Sequence, residues 1–219
     1  MKLAAIVPAL NEGVNIGNVL KVLLASKDLQ EVIVVDDGSV DRTAEIARSL
    51  GVKVISLPKK GGSGKANAMK QGIKSTDAEI ILFFDADLIG LKQEHITLLI
   101  QPILEGRAEM VVGVRGRWLG IPKLFVKIDP LLAIGGERAI KRSVFENLPQ
   151  EFIKGFMIEI GMNLYCQKKK LPVVYADLEN LTMVIKERKW GLLKGFFSRI
   201  KMIWEMIKAR FILIRRVKI

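Results

Sequence analysis

The chain has 219 residues, of which 50% are hydrophobic, and its formal net charge is +12. These totals predict one sizeable α/β domain or a domain with an appendage, and they exclude a generally disordered protein. The single cysteine, Cys166, excludes an internal disulfide framework and favours a reducing compartment. Since the sequence shows no leader-like start and no apolar window long enough to span a bilayer, we expect a cytoplasmic protein.

Short apolar runs alternate with helical patterns through the first half of the chain. We predict strands over residues 3–7, 31–35, 52–57 and 80–84, the first one closed by Pro8, and helices over 15–24, 41–49 and 66–74. This alternation, with short polar connections, predicts a mostly parallel sheet with right-handed crossovers.

The second half continues with a less regular pattern. We predict helices over 94–104 and 156–168, strands over 109–114 and 173–176, and a turn over 135–138 that leads into a short helix.

The run at residues 80–84 ends in two carboxylates, Asp85 and Asp87. Alternation along an extended chain points both to the same side, beyond the carboxyl end of a central strand, where ligands bind in open α/β sheets. A shared cation would neutralise them, and Mg²⁺ or Mn²⁺ suits oxygen ligands in a sequence without a His/Cys cluster. The alternative is a polar strand end that enters a turn.

Two more polar loops follow strands at the same predicted edge, residues 8–12 and the turn with Asp36 and Asp37. Carboxylates clustered there would repel one another without a cation, and a metal with open positions suits the phosphate oxygens of a nucleotide. The glycine-rich residues 59–65 fail the P-loop pattern, because Lys59 replaces the first glycine and Ala66 follows Lys65. They still form a basic loop placed to meet phosphate, or else a solvated turn.

Four segments in this order resemble the family 2 nucleotide-sugar glycosyltransferases, which have the GT-A fold. They are residues 7–12 (VPALNE), 34–39 (VVDDGS) with Asp41 and Thr43, 62–65 (GSGK) and 85–87 (DAD). The resemblance implies a single GT-A-type, Rossmann-like domain. It also implies that the donor nucleotide and its metal–diphosphate are held by Pro8, Ala9, Leu10, Glu12, Asp37, Lys65, Asp85 and Asp87.

Residues 135–139 (GGERA) and 155–161 (GFMIEIG) are similar to segments of glucosyl-3-phosphoglycerate synthases. That resemblance implies that Gly135, Gly136 and Glu137 help receive the acceptor and that Glu159 lies by its hydroxyl. A carboxylate there could orient or deprotonate the attacking hydroxyl, whereas the alternative places Glu159 on the polar side of a helix. Arg115 and Arg117 are further candidates for a phosphorylated donor or acceptor.

Related enzymes often carry a metal-binding histidine in a segment like residues 177–183 of this chain. Here Met183 stands at the matching position, and a thioether is a poor ligand for a hard cation. We therefore expect Asp85 and Asp87 to act without a third protein ligand. The only histidine, His95, does not match the spacing of the family ligand, and we expect a surface or capping role for it.

Residues 186–219 carry eleven basic residues against Glu187 and Glu205, a net charge of +9 (11 − 2). Their apolar residues recur at three- and four-residue steps, which predicts a basic amphipathic helix after a glycosyltransferase domain over residues 1–185. Residues 190–219 could lie on an anionic membrane surface, or pack on the domain or on a second copy in a homodimer.

We thus expect a metal-dependent glycosyltransferase that uses a nucleotide-diphosphate sugar. Its acceptor would carry a hydroxyl or phosphate, as a small phosphorylated molecule of the phosphoglycerate kind or as a polyprenyl phosphate. A nucleotidyltransferase is the second hypothesis. A non-enzymatic basic module for membrane or nucleic acid is the third, and the carboxylate-rich strand ends make nucleic acid the less favoured partner.

Overall fold

The computed structural model describes residues 1–58, 64–115, 135–153 and 157–184. The described strands are β1 (Leu3–Ala9), β2 (Glu31–Asp36), β3 (Lys53–Ser56), β4 (Ile80–Phe83), β5 (Leu88–Ile89), β6 (Met110–Arg115), β7 (Arg138–Lys141), β8 (Val173–Leu178) and β9 (Thr182–Met183). The described helices are α1 (Ile16–Leu24), α2 (Thr43–Ser49), α3 (Lys65–Lys74), α4 (Gln93–Leu104), α5 (Arg142–Glu146) and α6 (Met157–Lys168), with a 3₁₀ turn at Gln150–Phe152.

Seven strands form one sheet in the order β3-β2-β1-β4-β7-β6-β8. Every neighbouring pair is parallel except the two that involve β7, which runs antiparallel to both β4 and β6. The other six strands therefore point the same way and bring their carboxyl ends to one edge. This arrangement confirms the predicted α/β class with a mostly parallel central sheet.

The strands are buried on both faces, as a parallel sheet between two helical layers requires. In β4, Ile80 and Leu82 pack with α1 and α4 on one face, whereas Ile81 and Phe83 pack with α3 and α6 on the other. The near-continuous apolar run of this strand therefore reflects two cores, one on each side of the sheet.

Strand β1 is longer than predicted, because it continues through Pro8 to Ala9. In a parallel strand the backbone groups of one residue face one neighbour, and the Ile6 carbonyl accepts from Phe84 on the β4 side. Pro8 faces that same side, where pairing with β4 has already ended at Ile6. The missing N–H of Pro8 thus removes no ladder hydrogen bond.

The turn predicted over residues 135–138 is wrong in its last residue, because Arg138 begins β7 rather than leading directly into a helix. Only Ala139 and Ile140 are apolar in this strand, and a buried arginine at its start breaks the expected hydrophobic alternation. The two-residue strands β5 and β9, which pair antiparallel, were also not predicted. They are too short to leave a periodic signal in the sequence.

The C-terminal segment from residue 185 onward, including the predicted helix over 186–219, lies outside the described residues, as do the glycine-rich residues 59–63. Within the described ranges, none of the helices has the length and apolar character needed to cross a bilayer.

Candidate active site

The loops that follow β1 and β2 are joined by side-chain hydrogen bonds. The backbone N–H of Asn11 donates to Ser39 Oγ at 2.9 Å, and that of Glu12 donates to Thr43 Oγ1 at 2.8 Å. Asp41 in turn accepts from the Thr43 N–H at 3.0 Å. The two loops therefore form one unit at the carboxyl edge of the sheet.

The residues expected to hold the nucleotide lie in or beside this unit. Pro8 and Ala9 end β1, and the N–H of Asp37 donates to the Ala9 carbonyl at 2.9 Å. Leu10 is partly exposed and Glu12 begins the turn into α1, whereas the Asp37 side chain is buried. The structure thus brings all five together.

Helix α3 begins at this edge, and its first residue is Lys65. Gly64 precedes the helix with φ +84°, a left-handed conformation that favours glycine, and its N–H donates to Asp37 Oδ2 at 2.8 Å. The start of α3 is thereby tied to the turn after β2. The unpaired N–H groups of a helix N-terminus attract anions, so this placement suits a phosphate group.

Lys65 connects two carboxylates that are far apart in the sequence. Its ammonium Nζ lies 2.7 Å from Asp85 Oδ1 and 2.7 Å from Glu159 Oε1. The side chains are 17% exposed for Lys65 and 5% exposed for Glu159, so this bridge is largely shielded from water. It joins the end of β4, the start of α3 and the first turn of α6 in one charged cluster.

Burial alone would raise the pKa of Asp85, but the ammonium of Lys65 and the guanidinium groups of Arg115 and Arg138 hold it below its ordinary value. Burial likewise works against the charge of Lys65, yet Asp85 and Glu159 raise the pKa of Lys65 above its ordinary value. Asp85 and Lys65 are therefore charged at neutral pH.

Asp87 follows Asp85 by two residues, but the alternation predicted for an extended strand does not apply to it. Strand β4 ends at Phe83, and residues 86–87 form a turn, so alternation along an extended strand does not govern the direction of Asp87. The backbone carbonyl of Asp87 instead accepts from the Val184 N–H at 3.2 Å. Strand β9 thereby places Met183 beside the Asp85–Asp87 turn, opposite Leu88.

The described residues contain no group of three or more His, Cys, Asp or Glu side chains arranged to hold a metal ion. Asp85 and Asp87 nevertheless offer the carboxylate oxygens that Mg²⁺ and Mn²⁺ prefer, and water and diphosphate would supply the remaining ligands. His95 has the predicted capping role. Its Nδ1 accepts from the Lys92 N–H at 3.2 Å and its Nε2 lies 3.0 Å from the Glu179 carbonyl, so the ring is buried rather than on the surface.

The turn before β7 touches the Asp85 carboxylate. A Cβ added to Gly136 would lie 2.3 Å from Asp85 Oδ2, and one added to Gly135 would lie 2.6 Å from the Gly113 carbonyl oxygen. Neither position has room for a side chain. Of the two glycines expected at the acceptor site, Gly136 therefore packs against Asp85 and Gly135 against the backbone of Gly113.

Glu137 is fully buried beside Arg115, with Arg115 Nε 3.4 Å from Glu137 Oε2. Among the described residues, neither carboxylate oxygen of Glu137 has a hydrogen-bond partner, and Arg115 Nη1 also lacks one. Burial raises the pKa of Glu137 to about 7 even though Arg115 opposes this shift. Arg117, the other predicted arginine, lies outside the described residues.

Arg138 was not predicted as a site residue, yet it lies directly beneath the cluster with 0% exposure. Its Nη2 donates to the Gly135 carbonyl at 2.7 Å, and its Nη1 donates to the Glu159 carbonyl and to Asn163 Oδ1 at 3.3 Å each. Asn163 was missed as well. The sequence feature that could have indicated Arg138 is its position, directly after two glycines and a glutamate and directly before the apolar residues of a strand.

A family model described as "Glycosyl transferase family 2" matches residues 4–163. Among curated proteins, the chain is 36% identical over 108 residues to 4,4'-diaponeurosporenoate glycosyltransferase of Staphylococcus aureus, covering 48% of this chain and 29% of that protein. It is 33% identical over 121 residues to the probable glycosyltransferase YdaM of Bacillus subtilis, covering 51% of this chain and 29% of that protein. The chain thus spans less than a third of the length of these relatives.

Among solved structures, the chain is similar to glucosyl-3-phosphoglycerate synthase from Mycobacterium tuberculosis. The structure of that enzyme with Mn²⁺, UDP and glucosyl-3-phosphoglycerate matches with a TM-score of 0.70 and 26% identity, covering 83% of this chain and 71% of that one. A second structure of the same enzyme, with Mg²⁺ and UDP, matches with a TM-score of 0.70, 27% identity and the same coverage of 83% and 71%. These neighbours were crystallised with a divalent cation and a nucleotide.

Proposed function

The chain belongs to glycosyl transferase family 2, and on that premise we propose that it moves a sugar from a nucleoside-diphosphate sugar to an acceptor hydroxyl or phosphate. The acceptor class comprises small phosphorylated molecules of the phosphoglycerate kind and lipid phosphates such as polyprenyl phosphate. The similar mycobacterial synthase, crystallised with UDP-glucose and phosphoglyceric acid, supports the first kind.

The observation that carries this proposal is the Lys65 bridge. It joins Asp85, expected on the donor side, to Glu159, expected on the acceptor side, with 2.7 Å contacts to both. Group transfer requires the donor and the acceptor to meet in one geometry, and a fixed contact between the two sides supplies such a geometry.

In this proposal the base and ribose lie in the unit formed by the β1 and β2 loops, against Pro8, Ala9, Leu10, Glu12 and Asp37. The diphosphate lies at the start of α3, where Lys65 and the helix N-terminus supply positive charge. Asp85 and Asp87 would hold a Mg²⁺ or Mn²⁺ ion beside it. When bound, such an ion stabilises the negative charge that develops on the leaving diphosphate.

The acceptor would enter beside the turn of Gly135 and Gly136, with Glu137, Arg115 and Arg117 as candidates to contact its charged group. Glu159 then orients the attacking hydroxyl and receives its proton. Lys65 keeps the Glu159 carboxylate in place until the acceptor hydroxyl arrives. For a phosphate acceptor no proton is removed, and Glu159 serves only to orient it.

The test measures release of nucleoside diphosphate from a panel of nucleotide sugars with Mn²⁺, with phosphoglycerate and polyprenyl phosphate as acceptors. We expect thermal stabilisation by the matching nucleotide, since a ligand that binds the folded state raises stability. Turnover should be lost in Asp87→Ala. Absence of both stabilisation and turnover with every donor would overturn the proposal.

Two further measurements separate the other hypotheses, one of the released product and one of binding. A nucleotidyltransferase would release diphosphate from a nucleoside triphosphate instead of nucleoside diphosphate from a sugar donor. A basic binding module would lose membrane or nucleic-acid binding when residues 190–219 are deleted and would keep it in Asp87→Ala. Cosedimentation with anionic vesicles tests whether that segment also holds a working enzyme at a membrane surface.

A further inference from the structure

Arg138 is the largest fully buried side chain among the described residues, although it is charged. It lies on the face of the sheet shared by Phe83 and Val112, with which it is paired in the neighbouring strands. No carboxylate in the described part of the chain lies within ion-pair distance of its guanidinium. Burying a charge in this way is costly, so the hydrogen bonds that it makes must offset a large desolvation penalty.

Those hydrogen bonds connect two separate segments. On one side Nε and Nη2 both donate to the Gly135 carbonyl, at 3.2 and 2.7 Å. On the other side Nη1 donates to the Glu159 carbonyl and to Asn163 Oδ1, one turn apart in α6. The planar fork of the guanidinium suits this double attachment, which a single ammonium group cannot reproduce.

The contacts close into a ring around the site. Arg138 holds Gly135, the adjacent Gly136 packs on Asp85, Asp85 bonds to Lys65, and Lys65 bonds to Glu159. The backbone carbonyl of Glu159 accepts a hydrogen bond from Arg138, and this bond closes the ring. The guanidinium of Arg138 lies in the core beneath this ring, with no exposed surface.

We propose that Arg138 is a positioning residue that fixes the glycine turn against the first turn of α6. It thereby sets the separation of Asp85 and Glu159 on the two sides of Lys65. The proposal rests on the proposed function, because it assigns the turn and Glu159 to the acceptor side of the reaction. Loss of the fork should therefore impair acceptor use more than donor binding.

A matched control exists four residues further along. Arg142 also holds backbone carbonyls with its guanidinium, those of Ala78 at 2.8 Å and Thr76 at 2.6 Å, but at the opposite end of β7. Arg142→Lys therefore removes a comparable fork without touching the ring. A role of Arg138 in stability alone predicts the same acceptor KM in Arg138→Lys and Arg142→Lys, even if the more deeply buried Arg138 costs more stability.

The experiment compares Arg138→Lys with Arg142→Lys by steady-state kinetics and nucleotide binding. We expect Arg138→Lys to raise the acceptor KM about tenfold and to lower kcat, because small misplacements of reacting groups are costly, with the nucleotide Kd unchanged. Arg142→Lys should leave the acceptor KM unchanged. Equal acceptor KM values in the two variants, or a matching rise in nucleotide Kd in Arg138→Lys, would overturn the proposal.

Amide hydrogen exchange provides a readout that does not depend on turnover. Arg138→Lys should speed exchange at residues 135–137 and at the start of α6, whereas Arg142→Lys should not. If the wild type proves inactive, the proposed function fails, yet this exchange pattern still decides the structural coupling. Should Arg138→Lys not fold, Asn163→Ser removes one acceptor of the fork, and unchanged exchange at residues 135–137 in that variant would contradict the proposal.

Discussion

Asp85 contacts Gly136, and Glu137 follows Gly136 in the chain. The surroundings of these two carboxyl groups shift their pKa values in opposite directions. Asp85 contacts the ammonium of Lys65 at 2.7 Å, and its pKa lies below the ordinary value despite burial. Glu137 has only a 3.4 Å approach from Arg115, and burial raises its pKa to about 7. Burial by itself therefore does not decide the charge of a carboxylate here, since a close cation reverses its effect.

In the proposed site the two carboxyl groups would suit different tasks because of this difference in pKa. A charged Asp85 suits a cation and repels bare phosphate, whereas a carboxyl that is partly protonated near neutral pH can donate as well as accept a hydrogen bond. Two carboxyl groups with separated pKa values next to one turn are typical of enzyme sites.

Removing the Lys65 ammonium, which contacts Asp85, should have the largest effect on turnover and stability. We expect Lys65→Met to lower turnover about 100- to 1,000-fold. It should also cost about 3–5 kcal/mol of unfolding free energy, because Asp85 and the buried Glu159 lose their shared partner. Denaturant unfolding and donor turnover measure the two effects.

The matched control is Lys141→Met, which removes a similar bond, 2.6 Å from Lys141 Nζ to Glu109 Oε1, at a more exposed position. We expect turnover to be unchanged and the stability loss to be smaller, since partly exposed pairs contribute little. Equal stability losses in the two variants would contradict the role given to burial.

The second test removes the charge of Glu137. Between pH 4.5 and about 7 the folded state holds the Glu137 proton more tightly than the unfolded chain, so wild-type stability falls as pH rises through this window. Glu137→Gln has no such proton. It should be more stable than wild type at pH 8, by on the order of 3 kcal/mol, and equal to it below pH 4.5. Unfolding measured across this pH range decides the point, and a variant that is less stable at pH 8 would show that Arg115 dominates over burial.

The third test moves Asp85 without changing a charge. The added methyl in Gly136→Ala would meet Asp85 Oδ2 at 2.3 Å, so the carboxylate or the turn must shift. We expect a stability loss of about 1–3 kcal/mol from overpacking, together with a clear drop in turnover. Gly17→Ala, whose added Cβ would meet its nearest neighbour, Ile46, at 3.6 Å, is the control that should keep both stability and turnover. A Gly136→Ala variant with wild-type turnover would falsify the close contact.

The smallest effect is expected for an ion pair of the same length that is exposed to solvent. Arg42 Nη2 lies 2.7 Å from Glu45 Oε1, as close as the Lys65 contacts, but the two side chains are 75% and 62% exposed. Arg42→Ala should leave the thermal midpoint and turnover indistinguishable from wild type, because solvent screens such pairs. A measurable fall in the midpoint would show that geometry matters more than burial.

The sequence allowed the fold class to be predicted, and it also allowed Asp37 and Asp85 to be placed at one edge of the sheet, because both inferences depend on local patterns. Asp37 and Asp85 each follow an apolar strand, and parallel strands bring such positions to one edge. The bridge from Lys65 to Glu159 spans 94 residues and has no local pattern. Arg138 was missed for a related reason, since its side chain points into a core where the pattern calls for an apolar residue.

The short strand β9 has a further consequence for the candidate site. Val184 donates to the Asp87 carbonyl, and His95 Nε2 lies 3.0 Å from the Glu179 carbonyl, so both the start of the β8–β9 turn and the end of β9 are held in place. Unpairing of β9 from β5 would therefore also loosen the turn that carries Asp87.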